Sequence, residues 1–329
     1  MSAALPHTDQ NPIAQSIAAE MDAVNQVIRA RLHSDVPLVK QIAEYIISAG
    51  GKRIRPALVL LVAKACGYHG GAHHELAAVV EFIHTATLLH DDVVDESSMR
   101  RGRKTANALF GNAASVLVGD FLYSRAFQMM LALNDMRVME IIAEATNVIA
   151  EGEVLQLLNM HNADVTEEQY LQVIRSKTAK LFEAAGQLGA LVSGAPNAHI
   201  EAAAEYGRSL GTAFQLIDDV LDYSGNAADI GKNVGDDLRE GKPTLPLIYL
   251  MEHGGDAERQ LVRACIENGD ERHFDEILAA ITTSGALDYT RRAAEKAAQR
   301  AADSISSLPN SQFKESLLKL CAFAVGRNH

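Results

Sequence analysis

Leu88-Leu89-His90-Asp91-Asp92-Val93-Val94-Asp95 and Phe214-Gln215-Leu216-Ile217-Asp218-Asp219-Val220-Leu221-Asp222 set three aspartates, in one spacing, into two apolar stretches far apart in the chain. On a helix, positions i and i+4 share a face, so Asp91 points with Asp95, and Asp218 with Asp222. Like charges this close repel, and apolar surroundings add a desolvation cost. A hard divalent cation removes both penalties. Carboxylate oxygens with few soft ligands nearby favour Mg²⁺, which binds through one or two carboxylates plus substrate phosphates. The two stretches therefore read as carboxylate walls holding a magnesium cluster around a phosphorylated substrate. The competing reading, two solvated acidic helix faces, fits poorly with the LLH and FQLI flanks.

Composition agrees with long helices. The chain has 329 residues, 48% of them hydrophobic, with eight prolines and no tryptophan. It can bury a large core, and its Ala- and Leu-rich stretches favour an all-α fold. A net charge of −12 argues against nucleic acid as a partner. It also means that an anionic substrate needs metal cations and local Arg and Lys residues to invert the field. Cys66, Cys265 and Cys321 are isolated, which points to a reducing compartment. The N-terminal MSAALPHTDQNP lacks the apolar core of a signal peptide. No run approaches 18 apolar residues. The expectation is a cytoplasmic protein that does not span a membrane, though an apolar product could bring it to one.

Residues 1–12 read as a disordered tail, and 13–329 as one all-helical domain. Helical periodicity predicts helices from Ile13 to about Leu32, Val36 to Ser48 and Ile54 to Cys66, with Pro56 tolerated in a first turn. Glu75 to Asp95 reads as a long buried helix that presents the first cluster. Ser97–Gly111 reads as a basic loop with a short helix. Ala113–Leu133, Arg137–Leu158 and Thr166–Val192 follow, the last opened by a capping box from Thr166 to Gln169. Ala198–Tyr223 carries the second cluster. Ser224–Pro246 is Gly-rich and long enough to act as a lid. Amphipathic helices fill Leu247–Val325, and no strand alternation or repeat appears.

A phosphorylated substrate also needs cationic donors. Gly50-Gly51-Lys52-Arg53-Ile54-Arg55 supplies three at a helix N-terminus, where free N–H groups favour anions. Arg100-Arg101 follows the first cluster, and arginine grips phosphate oxygens in pairs. These arginines could equally balance Asp95 and Glu96. Lys177, beside Thr178, and Lys232 each read, alone, as surface lysines. His84 lies two turns before Asp91 and reads alone as a core histidine. His69, His73 and His74 have the look of a zinc group, but they lie in a polar loop with no matched carboxylate or cysteine, so they read as solvated. No Ser-His-Asp or Cys-His arrangement stands out.

Taken together, GGKRIRP, LLHDDVVDESSMRRGR, GDFLYSRAF, SKTAKLFEAA, FQLIDDVLDYSG and GKNVGDDLREGKPTLPL resemble the motifs of the trans-isoprenyl diphosphate synthases, in order and over nearly the whole chain. Within that family the likeness is greatest to the bacterial branch that makes octaprenyl diphosphate for the ubiquinone side chain. The resemblance implies an all-helical homodimer that adds isopentenyl diphosphate to an allylic diphosphate such as farnesyl diphosphate. It assigns Lys52, Arg55, His84 and Arg101 to isopentenyl diphosphate, and Arg100, Lys177, Thr178, Gln215 and Lys232 to the allylic diphosphate. It makes Asp91 and Asp95 ligands of two magnesium ions and Asp218 of a third, with Asp92, Asp219 and Asp222 completing the shell. Arg327 near the C-terminus is a weaker candidate. The same resemblance leaves two alternatives, a class I terpene cyclase and a regulatory subunit of a heteromeric synthase. The intact DDVLD disfavours the first, and the retained Asp ligands disfavour the second.

The same reading expects helix faces between 113 and 158 to form the dimer interface. Ala86 and Thr87, a turn before Asp91, leave the start of a product tunnel unblocked. Met130, with Phe127 and Ile142 near, is expected at the tunnel floor, although methionine also commonly fills core gaps.

Overall fold

Apolar residues recurring every three to four positions make helices, and the width of the apolar stripe sets how deeply each one sits. The computed structural model describes residues 16–48, 50–100, 102–224, 235–269 and 272–327, so the expected tail at 1–12 lies outside the described residues. The order begins with α1 (Ala18–Arg31), α2 (Pro37–Ser48), α3 (Ile54–Ala65) and α4 (Ala72–Val94). It continues through α5 (Ala106–Phe110), α6 (Asn112–Ala132), α7 (Met136–Asn159), α8 (Glu167–Ile174), α9 (Lys180–Val192) and α10 (Asn197–Ser224). The C-terminal part holds α11 (Asp236–Arg239), α12 (Leu245–His253), α13 (Asp256–Asn268), α14 (Phe274–Ser284), α15 (Ala286–Ser304) and α16 (Gln312–Val325). The all-α expectation holds, with boundaries within a few residues for most helices.

Helix α3 is apolar on all sides, and everything in it except Arg55 and Lys64 is buried. A helix with no polar face belongs in the middle of a bundle, and α3 packs against α4, α9 and α16. Helix α4 in turn lies on α6, while α10 lies between α9 and α15. The α9–α10 crossing is very close. A Cβ built on Gly207 would sit 2.1 Å from the backbone oxygen of Phe182, which has no rotamer with which to yield. We therefore expect Gly207→Ala to cost about 2 kcal/mol or more through backbone displacement. Urea unfolding checks this, and an unchanged midpoint would show that the helices separate freely.

Three local features depart from the sequence reading. Ser97–Gly111 contains a small antiparallel hairpin, with Met99 opposite Lys104 and Arg100 opposite Arg103, turned by Gly102 at φ 71°. Two-residue strands are too short for alternation to reveal. The expected helix over 166–192 opens with its Thr166–Gln169 capping box, but a π-helical turn at Arg175–Ala179 divides it into α8 and α9. That turn lies directly on α7. A Cβ on Gly152 would come within 2.8 Å of the Lys177 backbone nitrogen, so only glycine permits the approach. The Ser224–Pro246 segment is only partly a loop, because α11 and a seated Lys242 occupy its second half; residues 225–234 lie outside the described residues.

His73 corrects the solvated reading. Its side chain is fully buried, with Nε2 3.1 Å from Glu20 of α1; His74 shares that carboxylate and only His69 is exposed. Burial, then the neighbouring His74, push His73 down from 6.5 to about 4. Burial alone would raise Glu20, but hydrogen bonds from Lys64 and His74 bring it down to about 2 from 4.5. Both groups bind protons more weakly folded than unfolded, so acid destabilises this contact. The His73 share is lost as pH falls from 6.5 toward 4, and the Glu20 share from 4.5 toward 2. Urea unfolding between pH 7 and pH 4.5 is expected to fall less steeply in His73→Phe than in wild type; parallel slopes would contradict it.

Candidate active site

The last turns of α4 and of α10 face one cavity of about 1380 Å³. Asp91 and Asp95 line it from α4, and Asp218, Asp219 and Asp222 from α10. The i, i+4 geometry that pairs the aspartates thus points both pairs inward. Lys52 and Arg55 at the start of α3, His84 and Thr87 on α4, and Lys177 and Thr178 in the π turn line the same cavity. Arg101 and Lys232 lie outside the described residues.

Asp91, Asp95 and Asp218 each face a cation of the chain itself. Lys177 Nζ lies 3.7 Å from Asp91, Lys242 Nζ 3.2 Å from Asp95, and Arg327 Nη1 2.7 Å from Asp218. Three acidic groups in one cavity would otherwise repel strongly. Arg327 is 6% exposed and also donates to the Phe214 carbonyl at 2.8 Å, its guanidinium 3.7 Å from the Phe214 ring centre.

The other three aspartates have different surroundings. Asp92 is fully buried and accepts from Arg100 Nε at 2.7 Å, so it holds the arginine that lines the cavity. Asp219 is buried between two donors, Tyr170 Oη and Gln215 Nε2, the latter at 2.9 Å. Thr178 Oγ1 donates to Gln215 Oε1 at 3.0 Å, which links the π turn to the second cluster. Burial, then the Asp237 charge, raise Asp219 to about 8. Asp222 accepts from the Asp237 backbone N–H at 3.4 Å.

On the α3 side, Arg55 Nη1 approaches His84 Nε2 at 3.2 Å and its guanidinium stands 4.4 Å from the Phe182 ring centre. Lys52 Nζ lies 5.6 Å from the ring of Phe214. One end of the cavity is therefore cationic and the clusters are anionic. Hard oxygen donors at Asp91, Asp95 and Asp218 can hold hard divalent cations, while the bases can hold phosphate oxygens.

Sequence reasoning missed two residues here. Glu153 Oε2 accepts from Lys177 Nζ at 2.6 Å, and burial, then the Asp91 charge, push it up to about 7. A lone glutamate on an amphipathic helix carries no signal in one sequence, except that it follows Gly152. Lys242 lies in the Gly-rich segment; although burial opposes it, Asp237, Asp95 and Glu240 hold it above the usual lysine value. Of the expected tunnel residues, Thr87 lines the cavity. Ala86 and Met130 are fully buried in the main core.

A family model for polyprenyl synthetase matches residues 36–282. Octaprenyl diphosphate synthase of Escherichia coli (strain K12) is 55% identical over 312 residues, covering 94% of this chain and 97% of that protein. All-trans-nonaprenyl-diphosphate synthase (geranyl-diphosphate specific) of Rhodobacter capsulatus is 44% identical, covering 96% of each. Among solved structures, a polyprenyl synthase from Caulobacter crescentus CB15, complexed with calcium and isoprenyl diphosphate, superposes with a TM-score of 0.94 at 44% identity, covering 98% of this chain and all of that one. The chain belongs to the polyprenyl synthetase family. Its activity is that of a long-chain trans-prenyltransferase, and neither a terpene cyclase nor a regulatory subunit is supported. Among the described residues, no helix is long and apolar enough to cross a membrane.

Proposed function

We propose that this chain extends farnesyl diphosphate with isopentenyl diphosphate to octaprenyl diphosphate, the side-chain precursor of a quinone, as a magnesium-dependent homodimer in the cytoplasm. The observation that carries this reading is that both aspartate clusters line one cavity together with Lys52, Arg55, Arg100 and Lys177. The named relatives above form eight- and nine-unit products, and the higher identity to the eight-unit enzyme supports octaprenyl.

The residues fit magnesium. Asp91, Asp95 and Asp218 offer only hard oxygen donors, and Glu153 Oε1 is a further buried carboxylate oxygen without a hydrogen-bond partner. Bound there, three Mg²⁺ ions would neutralise the allylic diphosphate and make it a leaving group. Lys177, Arg100 and Lys232 hold its oxygens as charge develops on them. Lys52, Arg55 and His84 hold isopentenyl diphosphate at the cationic end, Arg101 is assigned to the same diphosphate, and Thr178 with Gln215 position the allylic diphosphate. The allylic C–O bond breaks with its electrons leaving on diphosphate. The isopentenyl double bond attacks the cation, and the departing diphosphate takes the proton lost from the new chain. No poised nucleophile–base pair is required, and exclusion of water protects the cation.

Leu117 and Leu131 on α6, with Met136, Val154, Leu157 and Leu158 on α7, are exposed and support a dimer interface within 113–158. The test incubates purified protein with Mg²⁺, farnesyl diphosphate and isopentenyl diphosphate. A forty-carbon product is expected. No elongated product from folded protein would remove the proposal, and a monomer by sedimentation at micromolar concentration would remove its dimeric part.

A further inference from the structure

Glu20 on α1 and His73 and His74 at the start of α4 bring one carboxylate oxygen and two imidazole nitrogens within 4.8 Å of one another. We propose that these three side chains form a second metal site, separate from the aspartate clusters, for a borderline divalent transition ion of the zinc class.

The donor set selects that class. Two imidazoles with one carboxylate suit zinc and its neighbours, whereas magnesium and calcium take oxygen ligands. Tetrahedral bonds of about 2.0–2.1 Å place neighbouring donors roughly 3.3 Å apart, and the cluster is already near that size. His73 Nε2 lies 3.1 Å from Glu20 Oε2, and His74 Nε2 approaches the same oxygen. One oxygen thus already faces two imidazole nitrogens, so an ion entering between them needs only small side-chain shifts.

The ligands are also held in place. His73 is fully buried; its ring packs edge-on to Tyr68 with centres 5.1 Å apart and 4.0 Å from the ring centre of His74. Its Nε2, which faces Glu20 at 3.1 Å, is its coordinating atom. Glu20 and His74 are partly exposed, at 22% and 21%, leaving an approach for the ion and for solvent in the fourth position. The opposing feature is Lys64, whose ammonium holds the other oxygen of Glu20 at 2.6 Å. It competes with an ion for the carboxylate and sets the affinity below that of an unopposed site.

Such an ion would fasten α1 to α4. Ile17, Ala18 and Met21, beside Glu20 in the chain, line the reaction cavity, so the ion would hold a wall of that cavity.

The experiment uses untagged, full-length protein stripped of metal, with millimolar Mg²⁺ present to occupy the aspartate clusters. Zinc is titrated against a chromophoric chelator, and cobalt is added separately for its visible spectrum. Wild type is expected to bind one zinc per chain, to melt at higher temperature with it, and to give a tetrahedral cobalt spectrum. His74→Ala and Glu20→Gln are expected to weaken zinc binding on the order of a hundredfold or more, since loss of an outer-shell partner alone costs 10–100-fold. Lys64→Met is expected to tighten it, on the order of tenfold, by removing the competing cation. Equal zinc affinity in wild type, His74→Ala and Glu20→Gln would overturn the proposal, as would zinc binding abolished by Mg²⁺. His74 is partly exposed, so its variant should fold; a wild-type-like melt without zinc checks this.

Discussion

Asp91→Asn is expected to lower turnover by roughly a thousandfold or more, given that single groups stabilising transition-state charge are worth about 10²–10³ and this one would also hold the ion. Stability should change by less than about 1 kcal/mol. Lys177, which faces Asp91, keeps Glu153 at 2.6 Å, so no cation is stranded. Asp218→Asn should be equally inactive but less stable, because its partner Arg327 is buried and would keep only carbonyl partners. Leaving a buried donor short of its carboxylate costs about 1–3 kcal/mol. Both substitutions relieve repulsion between neighbouring carboxylates, so the stranded Arg327 is what separates them. Steady-state assays in saturating Mg²⁺, alongside thermal melts, separate the two effects. Near-normal turnover in Asp91→Asn would remove it from the metal ligands.

The aspartate faces were legible because helical periodicity alone fixes which residues share a side. The same periodicity explains Asp92. One residue on from Asp91 it is turned by about 100°, and the structure buries it against Arg100. The basic residues of 52–55 and 177–178 were legible as types, but not as neighbours, since Arg55 meets His84 across 29 residues and Lys177 meets Asp91 only through tertiary packing. His73 was misread for that reason: its carboxylate stands 53 residues earlier. The π turn was invisible because its residues have ordinary helix propensity, and the close tertiary approach to Gly152 leaves no local pattern. Met130 shows a different limit. A buried methionine on an apolar helix reads identically as core or as tunnel floor, and here it packs in the main core.

Thr87→Phe is expected to shorten the product sharply. Thr87 lines the cavity four residues before Asp91, or about 6 Å along the helix at 1.5 Å per residue. An extended isoprene unit spans roughly 4–5 Å, so a forty-carbon chain needs on the order of 35 Å of path beyond the metal-binding end. An aromatic ring at 87 would stand in the first part of that path. Its cost to folding should be small, because Thr87 is partly exposed to the cavity and its hydroxyl serves only the His84 carbonyl at 2.8 Å. Ala86→Phe differs. Ala86 is fully buried, so the ring must enter packed core at about 1–3 kcal/mol, and any shortening would come with lost stability. Met130→Ala removes core volume at about 2–5 kcal/mol and lengthens the product only if the path reaches that depth. Chain-length analysis of the three variants, each with its unfolding midpoint, distinguishes a cavity-wall effect from a packing effect. Full-length product from a stable Thr87→Phe enzyme would mean that the growing chain leaves the aspartate clusters along another face.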